Sequence, residues 1–384
     1  MENIIENAVL IAVQTKDISE EEAELSIAEL GRLVETAGAT PKVSVIQKRE
    51  NFDTSTYIGR GKALEIAEMC KNNEITLAVI DDEITGSQAK NLEDILDVRV
   101  VDRTMLILDI FAARAKTAEG RLQVELAQLK YLMPRLMGLG KSLSRLGGGI
   151  GTRGPGETKL ETDRRHIRRK INSLEEQLEK VEQRRLQARR RRDKNAVPSV
   201  ALVGYTNAGK SSLMNVLCCS DEVYVEDKPF ATLDSTTRKM VFPEYPRSNI
   251  LLTDTVGFIR KLPHTLVEAF KSTLEEATSA DLLLHTVDAS DGELSSHIET
   301  VNGILRELGI EQKPVWLIMN KNDRLAGDRE INAAAVMANC RHEGLRVFSV
   351  SAKTGNGIKE LRDAIRENFY KENFYEKDSY DFGG

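Results

Sequence analysis

The stretch Gly204-Tyr205-Thr206-Asn207-Ala208-Gly209-Lys210-Ser211 constrains this chain more than any other. An apolar run at 200–203 leads into it, and Leu213, Val216 and Leu217 follow at helical spacing. Gly-x-x-x-x-Gly-Lys-Ser between a strand and a helix is the phosphate-binding loop pattern. Its glycines let backbone N–H groups turn inward around an anion, and the helix that follows points its positive end at the same place. Lys210 is expected to reach the β- and γ-phosphates, and the Ser211 hydroxyl to hold Mg²⁺, with Ser212 completing the loop. The bland alternative is a Gly-rich turn with an incidental lysine; the motifs further along decide against it.

At 384 residues, two or three domains are expected. Apolar content of 41% with 5% aromatics suits a water-soluble globular chain with an ample core. No uncharged apolar run reaches the ~18 residues that a membrane span needs, and Met1-Glu2-Asn3 does not begin a signal peptide. Cys70, Cys218, Cys219 and Cys340 show no metal-binding spacing. A reduced, cytoplasmic, monomeric protein is expected, compatible with peripheral association with a membrane.

Residues 7–15, 42–47, 76–81 and 98–101 read as strands, and 18–38, 61–72, 88–96 and 104–114 as helices. Alternation of this kind implies a small parallel α/β domain. Within it, Tyr57-Ile58-Gly59-Arg60-Gly61-Lys62 resembles a second phosphate loop, but the spacing is incomplete and Ala63 stands where Ser or Thr would bind Mg²⁺. An entry turn before a helix and a nucleotide contact both remain open there. Asp81-Asp82-Glu83 reads as a solvated strand end rather than a metal site, since no His or Cys supports it.

Leu122, Leu126, Leu129, Met133 and Leu136 form a four-three seam, and Ile167, Ile171, Leu174, Leu178 and Val181 form a second. Together they predict an antiparallel helical hairpin. Six glycines and a proline at 147–157 forbid regular structure between the helices, so this stretch is expected to be a contact loop at the tip. Charge inverts around it. Lys141, Arg145, Arg153, Lys159, Arg164, Arg165, Arg168, Arg169 and Lys170 crowd one end, with Arg184, Arg185 and Arg189 to Arg192 near the other, in a chain of net charge −6. Glu175, Glu176 and Glu179 pair some of these bases locally. The remainder fits a polyphosphate partner, and the scarcity of aromatics favours a structured RNA read by shape over stacked single strands.

Further motifs follow in the order of a guanine-nucleotide switch. Phe230-Ala231-Thr232-Leu233-Asp234 is expected to supply Thr232 to Mg²⁺, with Thr236 and Thr237 as rivals. Asp254-Thr255-Val256-Gly257 ends a strand; Asp254 would serve Mg²⁺ through water, and the Gly257 N–H would sense the γ-phosphate. Lys210, Thr232 and Gly257 form the expected catalytic set. Asn320-Lys321-Asn322-Asp323 follows another strand, and the Asp323 carboxylate can accept both N–H edges of guanine; adenine would leave it unpaired. Ser351, Ala352 and Lys353 complete the base side. GTP is therefore expected over ATP.

Phe258 stands where signalling GTPases carry a Gln that orients the attacking water. Slow intrinsic hydrolysis and a stimulating partner are expected. The Asn207 amide could seat K⁺ or merely shape the loop. His264 needs no role, His285 reads as a core residue of an apolar strand, and the aromatic tail beyond 368 carries no chemistry. The expected boundaries are 1–115, 116–195, 196–368 and 369–384.

The chain resembles the HflX family of ribosome-associated GTPases from about residue 7 to 368. The likeness rests on residues 56–62, 102–112, 120–129, the 147–163 stretch GGGIGTRGPGETKLETD, 229–234 and 254–258. Ser235 replaces a usual Pro, and little follows the nucleotide domain where some members carry a further one. The resemblance implies binding to the large ribosomal subunit in the GTP state, splitting of stalled or idle ribosomes under stress, and a role in subunit assembly. It also implies that some members handle ATP through the N-terminal region. A regulatory switch acting on a protein effector without RNA is the competing reading, and the central basic segment argues against it.

Overall fold

A computed structural model describes residues 6–146, 155–193, 197–219, 229–230, 235–246, 248–261, 263, 266, 277–310, 312–325 and 346–370. The chain divides into two compact units. The first holds residues 1–187 with 228–234 and 260–272; the second holds 188–227, 235–259 and 273–384.

The first unit contains a four-stranded parallel sheet of β1 (Asn7–Gln14), β2 (Thr40–Lys48), β3 (Leu77–Ile80) and β4 (Arg99–Asp102), in the order β2-β1-β3-β4. The connecting helices are α1 (Glu20–Thr36), α2 (Arg60–Asn72), α3 (Gly86–Leu96) and α4 (Arg103–Arg114). Each starts where the sequence supplies a stop for the preceding turn. Ser19 and Glu22 form a reciprocal capping box on α1, as Thr85 and Gln88 do on α3. Asp102 caps α4 by accepting from the Met105 N–H at 2.9 Å. Gly59 precedes α2 and donates its N–H to Gln47 Oε1 at 2.9 Å, so the Tyr57–Lys62 stretch is an entry turn. Val9, Ile11, Ile58, Ile66, Ala78, Ile80 and Leu92 make the core beneath it.

Asp81 is not the solvated strand end that its acidic neighbours suggest. It is 1% exposed. It accepts from Ser26 Oγ at 2.7 Å, Arg103 Nη1 at 2.8 Å and Lys261 Nζ at 2.6 Å. Arg103 also pairs with buried Glu29 at 3.0 Å, and Asp82 accepts from Lys261 Nζ at 2.8 Å and the Tyr57 hydroxyl at 2.5 Å. The physical reason is that a charge at the end of a central parallel strand has no water to face and needs counter-charges. Among the described residues, no cluster of His, Cys, Asp or Glu could hold a metal ion.

Helices α5 (Ala118–Leu146) and α6 (Pro155–Asp193) carry the two seams. Leu126, Ile171 and Leu174 are buried together, with Leu122, Leu129, Met133, Ile167 and Leu178 around them. The 29 residues of α5 rise about 43 Å, and residues 147–154 can span only about 30 Å, so helices packed this way must be antiparallel. Lys130–Glu175 (2.7 Å) and Lys170–Glu125 link them at the surface.

The second unit contains a six-stranded sheet ordered β10-β9-β8-β5-β7-β6. Its strands are β5 (Ser199–Val203), β6 (Thr236–Met240), β7 (Ile250–Asp254), β8 (Leu282–Asp288), β9 (Val315–Asn320) and β10 (Arg346–Ser349). All pair in parallel except β6, which runs antiparallel to β7 at the edge. Helices α7 (Lys210–Leu217), α8 (Leu294–Glu307) and α9 (Ile358–Phe369) belong to it. Both this sheet and the first confirm the α/β class. His285 is a core residue, 1% exposed.

Replacing Arg103 with Met should remove a buried counter-charge from Asp81 and Glu29 and cost about 3 kcal/mol. Replacing Lys16, whose partner Glu50 is equally exposed, should change stability by less than about 0.5 kcal/mol. Urea denaturation of the two variants followed by circular dichroism checks the contrast.

Candidate nucleotide site

Strand β5 ends at Val203, and the chain then turns through Gly204, at φ 152°. A Cβ here would lie 2.1 Å from the Thr286 carbonyl oxygen on neighbouring β8, so only glycine fits. The chain leaving β5 stays paired with the chain leaving β7. Thr206 N–H donates to Phe258 O at 2.8 Å, and Phe258 N–H donates to Gly204 O at 3.1 Å. Asn207 and Gly209 take positive φ, and Gly209 opens α7 with no side-chain cap. The first-turn N–H groups of α7 are therefore available to an anion.

Lys210 is buried. Its Nζ donates to Gly204 O at 3.1 Å and Tyr205 O at 2.8 Å. Burial pushes the ammonium down to about 8, a shift opposed by the Asp254 carboxylate. Ser211 Oγ donates to Asp254 Oδ2 at 2.5 Å, and the Thr255 hydroxyl donates to Leu202 O at 2.6 Å. Ser211 and Asp254 thus bring hard oxygen donors together at the start of α7, a donor set that suits Mg²⁺. A Cβ on Gly257 would sit 2.9 Å from Thr206 Cα and 3.0 Å from Lys210 Nζ, which accounts for glycine there. Val256 and Phe258 are buried, Phe258 to 1% exposure.

On the opposite flank, buried Asn320 joins two loops. Its Nδ2 donates to Ala208 O at 2.9 Å, and its Oδ1 accepts from Ala352 N–H at 3.0 Å. Lys321, at φ 63°, pairs with Asp288 at 2.7 Å. Asp323 accepts from the Ser351 hydroxyl at 2.6 Å, which holds its carboxyl below the usual range. Ser351 Oγ in turn accepts from Thr354 N–H at 3.1 Å, beside Lys353.

The residues read from sequence at 204–212, 254–257, 320–323 and 351–353 therefore meet at the carboxyl ends of β5, β7, β9 and β10. Ala231, Thr232, Leu233 and Asp234 lie outside the described residues, as do His264, residues 147–154 of the glycine-rich stretch and the tail beyond 370; residues 155–157 of that stretch are not irregular but form the start of α6, where Pro155 is tolerated because a first-turn N–H needs no partner. The side chains of Lys141, Arg145, Lys159 and Arg189 to Arg192 are likewise undescribed. Phe230 belongs to the first unit, where its ring meets Phe111 edge-on at 4.6 Å. Thr236 and Thr237 sit in β6, and Thr237 Oγ1 lies 2.9 Å from Thr253 Oγ1. Sequence reading missed Asp288. Its signal was an acidic residue closing a strand in register with Asn320.

A phosphate loop at the switch of a mostly parallel sheet, tied to a guanine-type base flank, defines a P-loop GTPase. Three family profiles match in sequence. "GTP-binding GTPase N-terminal" covers residues 24–112, "GTP-binding GTPase Middle Region" covers 114–192, and "50S ribosome-binding GTPase" covers 199–321. The chain is 52% identical over 367 residues to "GTPase HflX" of Caldanaerobacter subterraneus, covering 96% of this chain and 81% of that one. It is 44% identical over 370 residues to "GTPase HflX" of Escherichia coli, covering 96% and 84%. Among solved structures, the complex of SsGBP with GDP matches at a TM-score of 0.51 and 27% identity, over 96% of this chain and 99% of that one. The chain belongs to the HflX family of GTPases, and it binds and hydrolyses GTP. Among the described residues, no helix is long and apolar enough to cross a membrane.

Lys210 would set a pH dependence if its ammonium meets the phosphates. A bound phosphate would favour the ammonium form, so Lys210 would take up a proton on binding wherever it is neutral beforehand. Affinity would then be complete well below pH 8 and weaken as pH rises through it. Fluorescent-GDP titrations should show about tenfold weaker binding at pH 9 than at pH 7.

Proposed function

We propose that this protein is a ribosome-directed GTPase whose GTP state grips the large subunit through the α5–α6 hairpin. Hydrolysis then releases it, and the cycle separates stalled or idle ribosomes under stress or serves subunit assembly. The observation that carries this reading is the basic face of α6. Arg165, Arg168, Arg169 and Lys170 are exposed there, while Ile171 and Leu174 of the same turns are packed inward. Arginines presented on a rigid helix suit phosphates of a folded RNA, independently of its sequence. The "50S ribosome-binding GTPase" match at 199–321 supports the choice of partner. A cytoplasmic monomer fits this work, with residues 1–115, 116–195 and 196–368 as its N-terminal, hairpin and nucleotide domains.

In the nucleotide domain, the backbone of residues 204–209 and Lys210 would neutralise the phosphates, with the Gly257 N–H reporting the terminal one. Ser211, Asp254 and Thr232 would hold Mg²⁺, which supplies charge neutralisation at the transferred phosphoryl when bound. Asp323, kept ionised by Ser351, would accept both donors of the guanine edge. Phe258, buried and unable to hydrogen-bond, leaves the attacking water without a side-chain guide, so turnover is slow until the ribosome remodels the site. The Asn207 amide, on a residue at φ 61°, is the group that would seat K⁺ at the phosphates.

Purified large subunits should raise GTP turnover, and a double reversal of Arg168→Glu and Arg169→Glu should abolish that rise while GDP affinity stays within twofold. Co-sedimentation should weaken with a salt slope about two units shallower. Pelleting that is unchanged in the variant and insensitive to salt would instead favour a protein effector. Stimulated turnover should also be faster in KCl than in NaCl; equal rates remove the role given to Asn207.

A further inference from the structure

Strand β9 ends at Asn320, and the next residue, Lys321, reverses the chain in a left-handed conformation, φ 63°. A residue with a Cβ avoids this region unless its surroundings hold it there. Lys321 is held by its own side chain. Its Nζ lies 2.7 Å from Asp288 Oδ2, and the two side chains are 18% and 17% exposed. Asp288 closes β8 in register with Asn320, and the Ala289 N–H donates to Asn320 O at 2.8 Å. The carboxylate is itself oriented, because Oδ1 accepts from the Ser290 N–H at 3.0 Å and from the Ser290 hydroxyl at 2.6 Å. Burial pushes the Asp288 carboxyl up, but hydrogen bonds from Lys321 and Ser290 more than offset this and hold it below its usual range, so it is an anion at neutral pH.

The reversal has consequences on both sides. A Cβ on Gly209 would lie 2.3 Å from Asn320 Nδ2 and 3.8 Å from Lys321 Cε, so both side chains lie across the phosphate loop where α7 begins. Beyond Lys321 comes the 3₁₀ turn Asn322–Arg324, closed by the Arg324 N–H donating to Lys321 O at 3.0 Å. That turn carries Asp323. The conformation of one residue therefore sets the direction of Asn320 toward Ala208 and of Asp323 toward Ser351.

We propose that Asp288 is a positioning residue for guanine selectivity: by anchoring Lys321 it holds the reversal that aims Asp323 at the base. This rests on Asp323 being the group that reads guanine. The effect of Asp288 passes through the backbone at 321 rather than through any contact with nucleotide. Asp323 would accept a ring N–H and an exocyclic amine at once, and two parallel bonds to one carboxylate demand both distance and angle. A loosened turn forfeits one of them first. Selectivity for the amine then falls before affinity for the purine is lost.

The test uses inosine diphosphate, which keeps the ring N–H of guanine and lacks the amine. Release rates of fluorescent GDP and fluorescent IDP are measured for the intact chain and its variants. Release is read from bound protein alone, so an unfolded fraction does not enter. Wild type should release GDP about tenfold more slowly than IDP. Asp288→Asn should speed GDP release about tenfold and IDP release about threefold, lowering selectivity about threefold. Glycine takes a left-handed φ without an anchor, so in a Lys321→Gly background the same Asp288→Asn change should alter GDP release by less than about twofold. Equal acceleration of GDP and IDP by Asp288→Asn, which a loosened fold alone would give, overturns the proposal. So does an undiminished Asp288→Asn effect in the Lys321→Gly background. Wild-type protein that releases GDP and IDP equally fast would instead overturn Asp323 as the guanine reader, a separable outcome.

Discussion

The hydrogen bonding between β5 and β7 does not stop where the strands end, and the geometry of the nucleotide site follows from that. Parallel neighbours deliver both chains to the same edge of the sheet, heading the same way. Thr206 and Phe258 then continue the ladder for one more step. Each such bond is worth only about 1 kcal/mol net. Their consequence is positional. With the two backbones this close, Gly257 has no room for a side chain against Thr206; on the other side of β5, Gly204 has none against Thr286 of β8. Lys210 is folded back over the loop onto the carbonyls of Gly204 and Tyr205. A shift anywhere in 254–258 is therefore felt in the loop within one hydrogen bond.

The base flank depends on the same economy of contacts. A single amide, Asn320, spans the gap between the loop at Ala208 and the turn at Ala352. It is buried, so removing it would leave a carbonyl and an N–H without partners, each costing roughly 1–3 kcal/mol. Asp323 is held differently, by a hydroxyl that itself accepts from Thr354. The carboxylate is kept ionised and aimed by a side chain of the neighbouring loop. The loop expected to hold phosphate and the turn expected to meet the base thus share one structural member, Asn320.

Much of this was legible in the chain. Continuous apolar runs and a 3.6-residue period found the four strands and four helices of the first sheet and the apolar runs that lead into the nucleotide motifs, because buried parallel strands are continuously apolar and their helices are not; β6, α8 and α9 went unpredicted. The seams of α5 and α6 were legible because a four-three spacing has few other uses. What stayed hidden was chemistry made by elements far apart in sequence. Asp81 reads as a polar strand end until Arg103, 22 residues on, and Lys261, 180 residues on, arrive beside it. His297 carries no motif, and nothing in the chain near it announces that its ring stacks on Tyr205. Phe258 was legible as a departure in type, but its burial was not, since the reason for it is the backbone bridge rather than any local pattern.

The Asp81 cluster shows what such hidden chemistry is for. Three carboxylates, from Glu29, Asp81 and Asp82, face two cations, Arg103 and Lys261. Desolvating the three buried charges, Glu29, Asp81 and Arg103, is expensive, and an apolar set of similar volume would often be as stable. The ionic set differs in selectivity. Arg103 fills one side of Asp81 and also donates to the Arg260 carbonyl oxygen at 3.2 Å, so the position beside it accepts a cation and nothing apolar. Lys261 meets that demand in a left-handed conformation, φ 50°, which costs a non-glycine residue about 1 kcal/mol. Two charge-assisted hydrogen bonds to carboxylates, each worth about 1.5–3 kcal/mol, more than offset the strain. The backbone at 260–261 is therefore held in one conformation by charge.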